Sequence, residues 1–154
     1  MQIEYFKLID RIIGLDLAAR TIQVEANVPV ESTIFEGHFP GHPLMPGVLL
    51  LETMAQASGW LIIGITRFTC MPFFAAVKDA KFRSFVTPGM ALVVEAALEH
   101  EGSGYGITNC KVTKEDGTAV ADAQITLRIM PFPSPEFSDA MRARARNVGF
   151  TIPA

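Results

Sequence analysis

His38, His42 and Glu52 are the residues whose types and spacing could support chemistry, and all three fall within residues 36–66, a stretch that changes character halfway. The first half, EGHFPGHPLMPG, sets glycine or proline around both histidines and again at Pro46-Gly47, so it predicts a turn-rich loop. The second half, residues 48–66, has no proline. It carries Leu49, Leu50, Leu51, Met54, Trp60 and Leu61 to Ile63 over nearly every face, which predicts a helix buried all round. Glu52 lies inside that helix with Gln56 four residues on, along the same face. A carboxylate taken out of water must be paired, hydrogen-bonded or protonated, so Glu52 requires a reason.

Three arrangements are compatible with these residues. Two histidines four apart near a carboxylate resemble a zinc site on paper, but that spacing converges on a helix, and Phe39-Pro40-Gly41-His42-Pro43 cannot be helical. No metal is therefore expected. A second arrangement is structural, with a loop histidine bonded to the main chain and Glu52 paired to an arginine of a neighbouring subunit. The third is acid–base catalysis: a neutral imidazole beside a carboxyl group that burial keeps protonated is the pairing an elimination needs. The loop also ends at the start of the helix, where unpaired N–H groups near Gly47 and Val48 and the positive end of the dipole could hold an oxyanion.

The elements that must position these groups can be followed along the chain. Residues 5–15 mix helix and strand signals and read as a short helix or turn leading into a strand. Residues 21–28 alternate cleanly, with Ile22, Val24, Ala26 and Val28 on one face. After the long helix come strand candidates at residues 72–77 with a continuation to 85, and at 90–100, 105–113 and 118–130, with turn signals at Gly102, Gly104 and Glu115-Asp116-Gly117. One strand, one long apolar helix and then a meander make an α+β chain in which a strongly curved antiparallel sheet must wrap the helix. Beyond Met130, three prolines stop the sheet and Ser138 is placed to cap a short basic helix carrying Arg142, Arg144 and Arg146, an appendage at residues 131–154.

Composition bounds the function. At 154 residues the chain makes one domain, and 49% hydrophobic against 19% charged residues excludes disorder and points to apolar surface hidden in a homo-oligomer. A net charge of −3 with interleaved signs excludes general attraction to nucleic acid. Glu4, Lys7, Asp10 and Arg11 interrupt the N-terminus, unlike a signal peptide, so a cytoplasmic protein is expected. Glu52, Thr53, Gln56 and Ser58 make residues 48–66 an expensive membrane span, and none is expected. Cys70 and Cys110 are isolated thiols without metal spacing and read as packing residues.

The segments GHFPGHPLMPGVLLLETMAQASG and AAVKDAKFRSFVTPG resemble the signature of the 3-hydroxyacyl-[acyl-carrier-protein] dehydratases of fatty acid synthesis, of the FabZ type, over residues 5–130. The resemblance implies a hot-dog fold at residues 1–130 and a dimer, with a trimer of dimers as the larger assembly. It implies an active site in which His38 of one subunit faces Glu52 of the other. Glu52, where the related FabA type has aspartate, implies dehydration without isomerisation. The implied reaction is loss of water from a (3R)-3-hydroxyacyl thioester of acyl carrier protein, without a cofactor. His38 would take the C2 proton, the Gly47 N–H would meet the enolate oxygen, and Glu52, held by Gln56, would act on the departing hydroxyl.

Less specific residues bear on substrate and partner. Phe39, Val48, Phe73 and Phe74, with Leu49, Met54, Phe82 and Phe85, are candidates for contact with the acyl chain, although aromatic residues beside a strand are more often plain core. Lys78, Lys81 and Arg83, with Arg67 nearby, could meet an acidic carrier protein, or could simply be a solvated sheet edge. Met90, where the family has an acidic residue, and the segment after Pro131 depart from the family pattern. Rival readings are a hot-dog acyl-CoA hydratase, a thioesterase and a non-catalytic acyl-binding module.

Overall fold

The computed structural model describes residues 1–152. Six strands form one antiparallel sheet in the order β1-β2-β4-β5-β6-β3, with β1 at Arg11–Asp16, β2 at Thr21–Asn27, β3 at Cys70–Phe82, β4 at Ala91–Gly102, β5 at Tyr105–Lys114 and β6 at Ala119–Pro131. The helix α2, Gly47–Ile65, lies against β2 through β6, so the sheet curls around it as the α+β hot-dog fold requires. By length and composition α2 could cross a membrane, but most of it is enclosed by this sheet.

Alternation decides which residues reach the helix. Ile22, Val24 and Ala26 of β2, Leu92, Val94 and Ala96 of β4, and Ala121, Ala123, Ile125 and Leu127 of β6 are buried, while the residues between them are more exposed. Burying one large aliphatic side chain is worth about 1.5–3 kcal/mol, and Met54, Leu61, Ile62 and Ile63 of α2 are nearly or completely inaccessible. Gly106 lets β5 approach the helix: a Cβ there would lie 3.0 Å from Ile62 Cδ1. The buried hydroxyls are also accounted for. Ser58 Oγ lies 2.7 Å from Thr108 Oγ1 and 3.1 Å from Cys110 Sγ, and Thr53 donates to the Leu49 carbonyl at 2.7 Å.

Several sequence expectations are corrected. The helix is not buried all round: Val48 is 70% exposed, and Glu52 and Gln56 are half-buried in the protomer. A 3₁₀ turn at Ile3–Tyr5 precedes β1, in keeping with the expected turn leading into a strand, while the strand expected at residues 72–85 runs instead from Cys70 to Phe82. The glycine- and proline-rich loop is preceded by a short helix, α1, at Thr33–Gly37. Its cap is Ser32, whose Oγ accepts from the Ile34 N–H at 3.2 Å and donates to Glu4 at 2.6 Å. The hydrogen bond from Ser32 foremost, with main-chain N–H groups including that of Thr33, holds the Glu4 carboxyl below its ordinary pKa.

The C-terminal segment is not an appendage. Helix α3, Pro135–Asn147, starts one turn earlier than expected because Ser134, not Ser138, caps it, accepting from the Phe137 N–H at 3.2 Å, with Pro135 in the first turn. Ala145 and Val148 are buried in the same core as the sheet, and Phe150 packs on Trp60 of α2 at 5.3 Å between ring centroids. Arg144 donates to the Ile9 carbonyl at 2.9 Å. Burial lowers the pKa of its guanidinium from the ordinary value, and nearby Asp10 opposes the shift.

Candidate active site

His38 ends α1, its N–H donating to the Ile34 carbonyl at 3.0 Å. Beyond it the chain doubles back. Phe39 and His42 exchange main-chain hydrogen bonds of 3.1 and 2.9 Å, and the Leu44 N–H returns to the His38 carbonyl at 2.8 Å. This closed loop fixes the imidazole: Nδ1 lies 2.9 Å from the Leu44 carbonyl, and the ring stacks on Phe39 at 4.1 Å. A carbonyl oxygen only accepts, so Nδ1 carries the hydrogen, and in the neutral ring Nε2 is left with its lone pair. His38 is thereby set in the tautomer of a base.

The same loop delivers the chain to α2. Pro46 occupies the N-cap and offers no side-chain acceptor, and the first turn contains no acidic residue. The N–H groups of Gly47 and Val48 therefore begin the helix without an intrahelical partner, at the positive end of its dipole. Gly47 lies close beneath Phe82: a Cβ there would lie 3.1 Å from the ring, a tight contact that the ring would have to relieve by a small shift.

Glu52 is held on the next turn of α2. Gln56 Nε2 donates to Glu52 Oε1 at 3.1 Å and to the Phe6 carbonyl at 2.8 Å, while Gln56 Oε1 accepts from the Leu8 N–H at 3.3 Å. Glu52 and Gln56 open onto a cavity of about 290 Å³ whose walls include Trp60 and Ile63 of α2, Phe74 of β3, and Met141 and Arg144 of α3. His38 is not among its lining residues, and no hydrogen bond joins it to Glu52 among the described residues.

The remaining sequence candidates divide. Phe74 reaches the cavity; Leu49 and Met54 are core, 8% and 0% exposed. Phe39, Val48, Phe73, Phe82 and Phe85 are surface-exposed in the protomer. Lys78 and Lys81 are exposed on β3, whereas Arg83 is engaged with Asp122 at 2.6 Å. Among the described residues, no three of His, Cys, Asp and Glu gather as a metal site would need. The sequence expectations do not place Trp60 and Ile63 of α2 or Met141 and Arg144 of α3 at the cavity, nor the Phe82 ring against Gly47. Only long-range packing places them there.

Residues 2–124 match the sequence model of the FabA-like domain. A 3-hydroxyacyl-[acyl-carrier-protein] dehydratase FabZ from Fusobacterium nucleatum is 38% identical over 125 residues, covering 80% of this chain and 86% of the relative. The protein of the same name from Acidiphilium cryptum is 41% identical over 128 residues, covering 81% and 76%. Among solved structures, a hypothetical thioesterase with coenzyme A from Streptococcus pneumoniae superposes with a TM-score of 0.64, covering 79% of this chain and 85% of that one at 14% identity, a likeness of fold alone.

Proposed function

This chain belongs to the FabA-like family, among the FabZ-type 3-hydroxyacyl-[acyl-carrier-protein] dehydratases, and from that premise we propose that it removes water from a (3R)-3-hydroxyacyl thioester of acyl carrier protein to give the trans-2-enoyl thioester. The observation that carries the mechanism is the tautomer of His38, with Nδ1 bonded to the Leu44 carbonyl and Nε2 left to act as a base. Nε2 takes the proton from C2, and the electrons of that C–H bond pass into the thioester carbonyl as an enolate; as the enolate collapses they form the C2–C3 double bond and the C3–O bond breaks. The hydroxyl leaves with a proton from Glu52 as water, and transfer of the C2 proton back to Glu52 resets the site. The enolate oxygen formed on the way is met by the Gly47 N–H. The reaction is redox-neutral and needs no cofactor or metal.

The site is completed by a second copy. β3 is a 13-residue edge strand that exposes Phe73, Phe74, Val77 and Phe82 in the protomer, and a long apolar edge strand is of the kind that pairs with another strand. Pairing of β3 with β3 about a two-fold axis gives a homodimer in which His38 of one protomer meets Glu52 of its partner, and three such dimers make the larger assembly. Phe39, Val48, Phe73 and Phe74 border the thioester and acyl chain. Lys78 and Lys81, with Arg83 beside them, meet the acidic carrier protein. The dehydratase unit is residues 1–130, extended by 131–154, and it works in the cytoplasm.

One assay tests the reading. The pure protein is incubated with a 3-hydroxyacyl carrier protein while enoyl product and free thiol are followed. Enoyl product without free thiol is expected, at rates that fall by orders of magnitude in His38→Ala and Glu52→Gln. Free thiol alone marks a thioesterase, preference for the CoA ester marks a hydratase, and no change in either marks a binding module.

A further inference from the structure

We propose that α3, which lies beyond the residues matching the FabA-like domain, forms a wall of the acyl cavity and that Met141 sets the length of acyl chain accepted. The proposal rests on the dehydratase reading for the identity of the ligand, but not for the existence of the wall.

Glu52, Gln56, Gly59 and Ile63 recur three or four residues apart and make one stripe along α2, leading away from the reacting end of the helix. The stripe runs roughly 16 Å at 1.5 Å per residue, a course along which an extended acyl chain can lie. The sheet covers most of α2, but this stripe faces a cavity, and α3 places Met141 and Arg144 there. A long apolar chain needs such a surface, because each methylene removed from water gains about 0.8 kcal/mol.

The wall is held firmly. Ser134 caps its first turn, the Phe132 ring stacks on Phe68 at 6.0 Å, and the Arg142 guanidinium lies 4.4 Å from the centre of the Phe68 ring. At its far end Val148 is completely buried, its carbonyl accepts from the Ile12 N–H at 2.8 Å, and Arg144 is tied to the Ile9 carbonyl. A helix fixed at both ends cannot easily swing aside for a longer ligand, so the side chain at position 141 becomes a measure of the space.

Trp60, the only tryptophan in the chain, lines the same cavity and reports its occupancy without turnover. Hexadecanoyl-pantetheine and butanoyl-pantetheine, which have no hydroxyl to eliminate, are titrated into wild type, Met141→Ala and Met141→Phe while Trp60 emission is followed. Thermal melts confirm that the variants are folded. Met141→Phe should weaken hexadecanoyl binding about tenfold and leave butanoyl binding nearly unchanged, as expected for a methylene-scale change in an apolar pocket. Met141→Ala should shift the preference the other way, and kcat/KM for the matching 3-hydroxyacyl carrier proteins should follow the same order. Equal affinities across the three folded proteins, or no Trp60 response to either ligand, overturn the proposal. Selective binding with no dehydration in wild type would uphold the wall and overturn the dehydratase reading.

Discussion

Gln56 spans the gap between Glu52 and the N-terminal segment: one amide nitrogen donates to the Glu52 carboxylate at 3.1 Å and to the Phe6 carbonyl at 2.8 Å, and its oxygen receives the Leu8 N–H at 3.3 Å. Glu52 is therefore oriented by main chain that is 50 residues away from Gln56 in sequence at its Phe6 contact. Leu8 itself is completely buried. The position of the acid depends on the folding of the N-terminus.

Replacing Gln56 with alanine leaves the Leu8 N–H and the Phe6 carbonyl without that partner, which should cost about 1–3 kcal/mol in urea unfolding. It also frees Glu52 to rotate, so kcat should fall about 100-fold while KM changes little. Unchanged kcat in the folded variant would remove Gln56 from the site.

The fold was legible in the sequence wherever periodicity was strong. The alternation of β2 and β6 and the apolar run of α2 give their elements nearly to the residue, since one face of each strand meets one buried helix. The proline- and glycine-bound His38 loop was equally legible, because no regular element could hold it. The exposure of Glu52 in the protomer was not, because the apolar run gave no sign of which face the sheet leaves open. The cap of α3 was misplaced for a local reason: Ser134 stands between Pro133 and Pro135, and the pair of prolines read as a break although Pro135 is suited to a first helical turn. Met141 and Arg144 at the cavity depend on how α3 docks, which no local pattern encodes.

The two cysteines should differ in reactivity. Burial pushes the Cys110 thiol above its ordinary pKa, only partly offset by hydrogen bonds with Ser58 and Thr108, whereas Cys70 is half-exposed at the start of β3. At mildly alkaline pH the native protein should therefore yield Cys70 to a thiol reagent quickly and Cys110 only on unfolding. As pH rises past the ordinary thiol range, the unfolded chain loses the Cys110 proton before the folded one does, so this group's contribution to stability declines. Equal labelling rates in the native protein would contradict the assignment.

Val77, 41% exposed on the free edge strand β3, tests the pairing of copies. Aspartate at this position puts a charge from each copy into an apolar seam, a device that edge strands use to prevent association. Sedimentation should show Val77→Asp as a monomer with native circular dichroism and with activity lost along with the dimer. A fully active dimer would show that β3 is not the interface.

The division of the site between protomers gives the most discriminating test. The described protomer bonds His38 to Leu44 and Glu52 to Gln56, with no link between the two pairs. If His38 of one copy works with Glu52 of the other, His38→Ala and Glu52→Gln are each inactive alone, but a hybrid dimer carries both lesions in one site and none in the other. Random assembly after co-expression makes half of the dimers hybrids, each with one intact site of two, so activity should recover to about a quarter of wild type. Were His38 and Glu52 of a single chain to act together, every hybrid site would carry one lesion and no recovery would occur. Separating the hybrid through two different affinity tags should raise recovery to about a half, because each purified two-fold dimer then holds one working site.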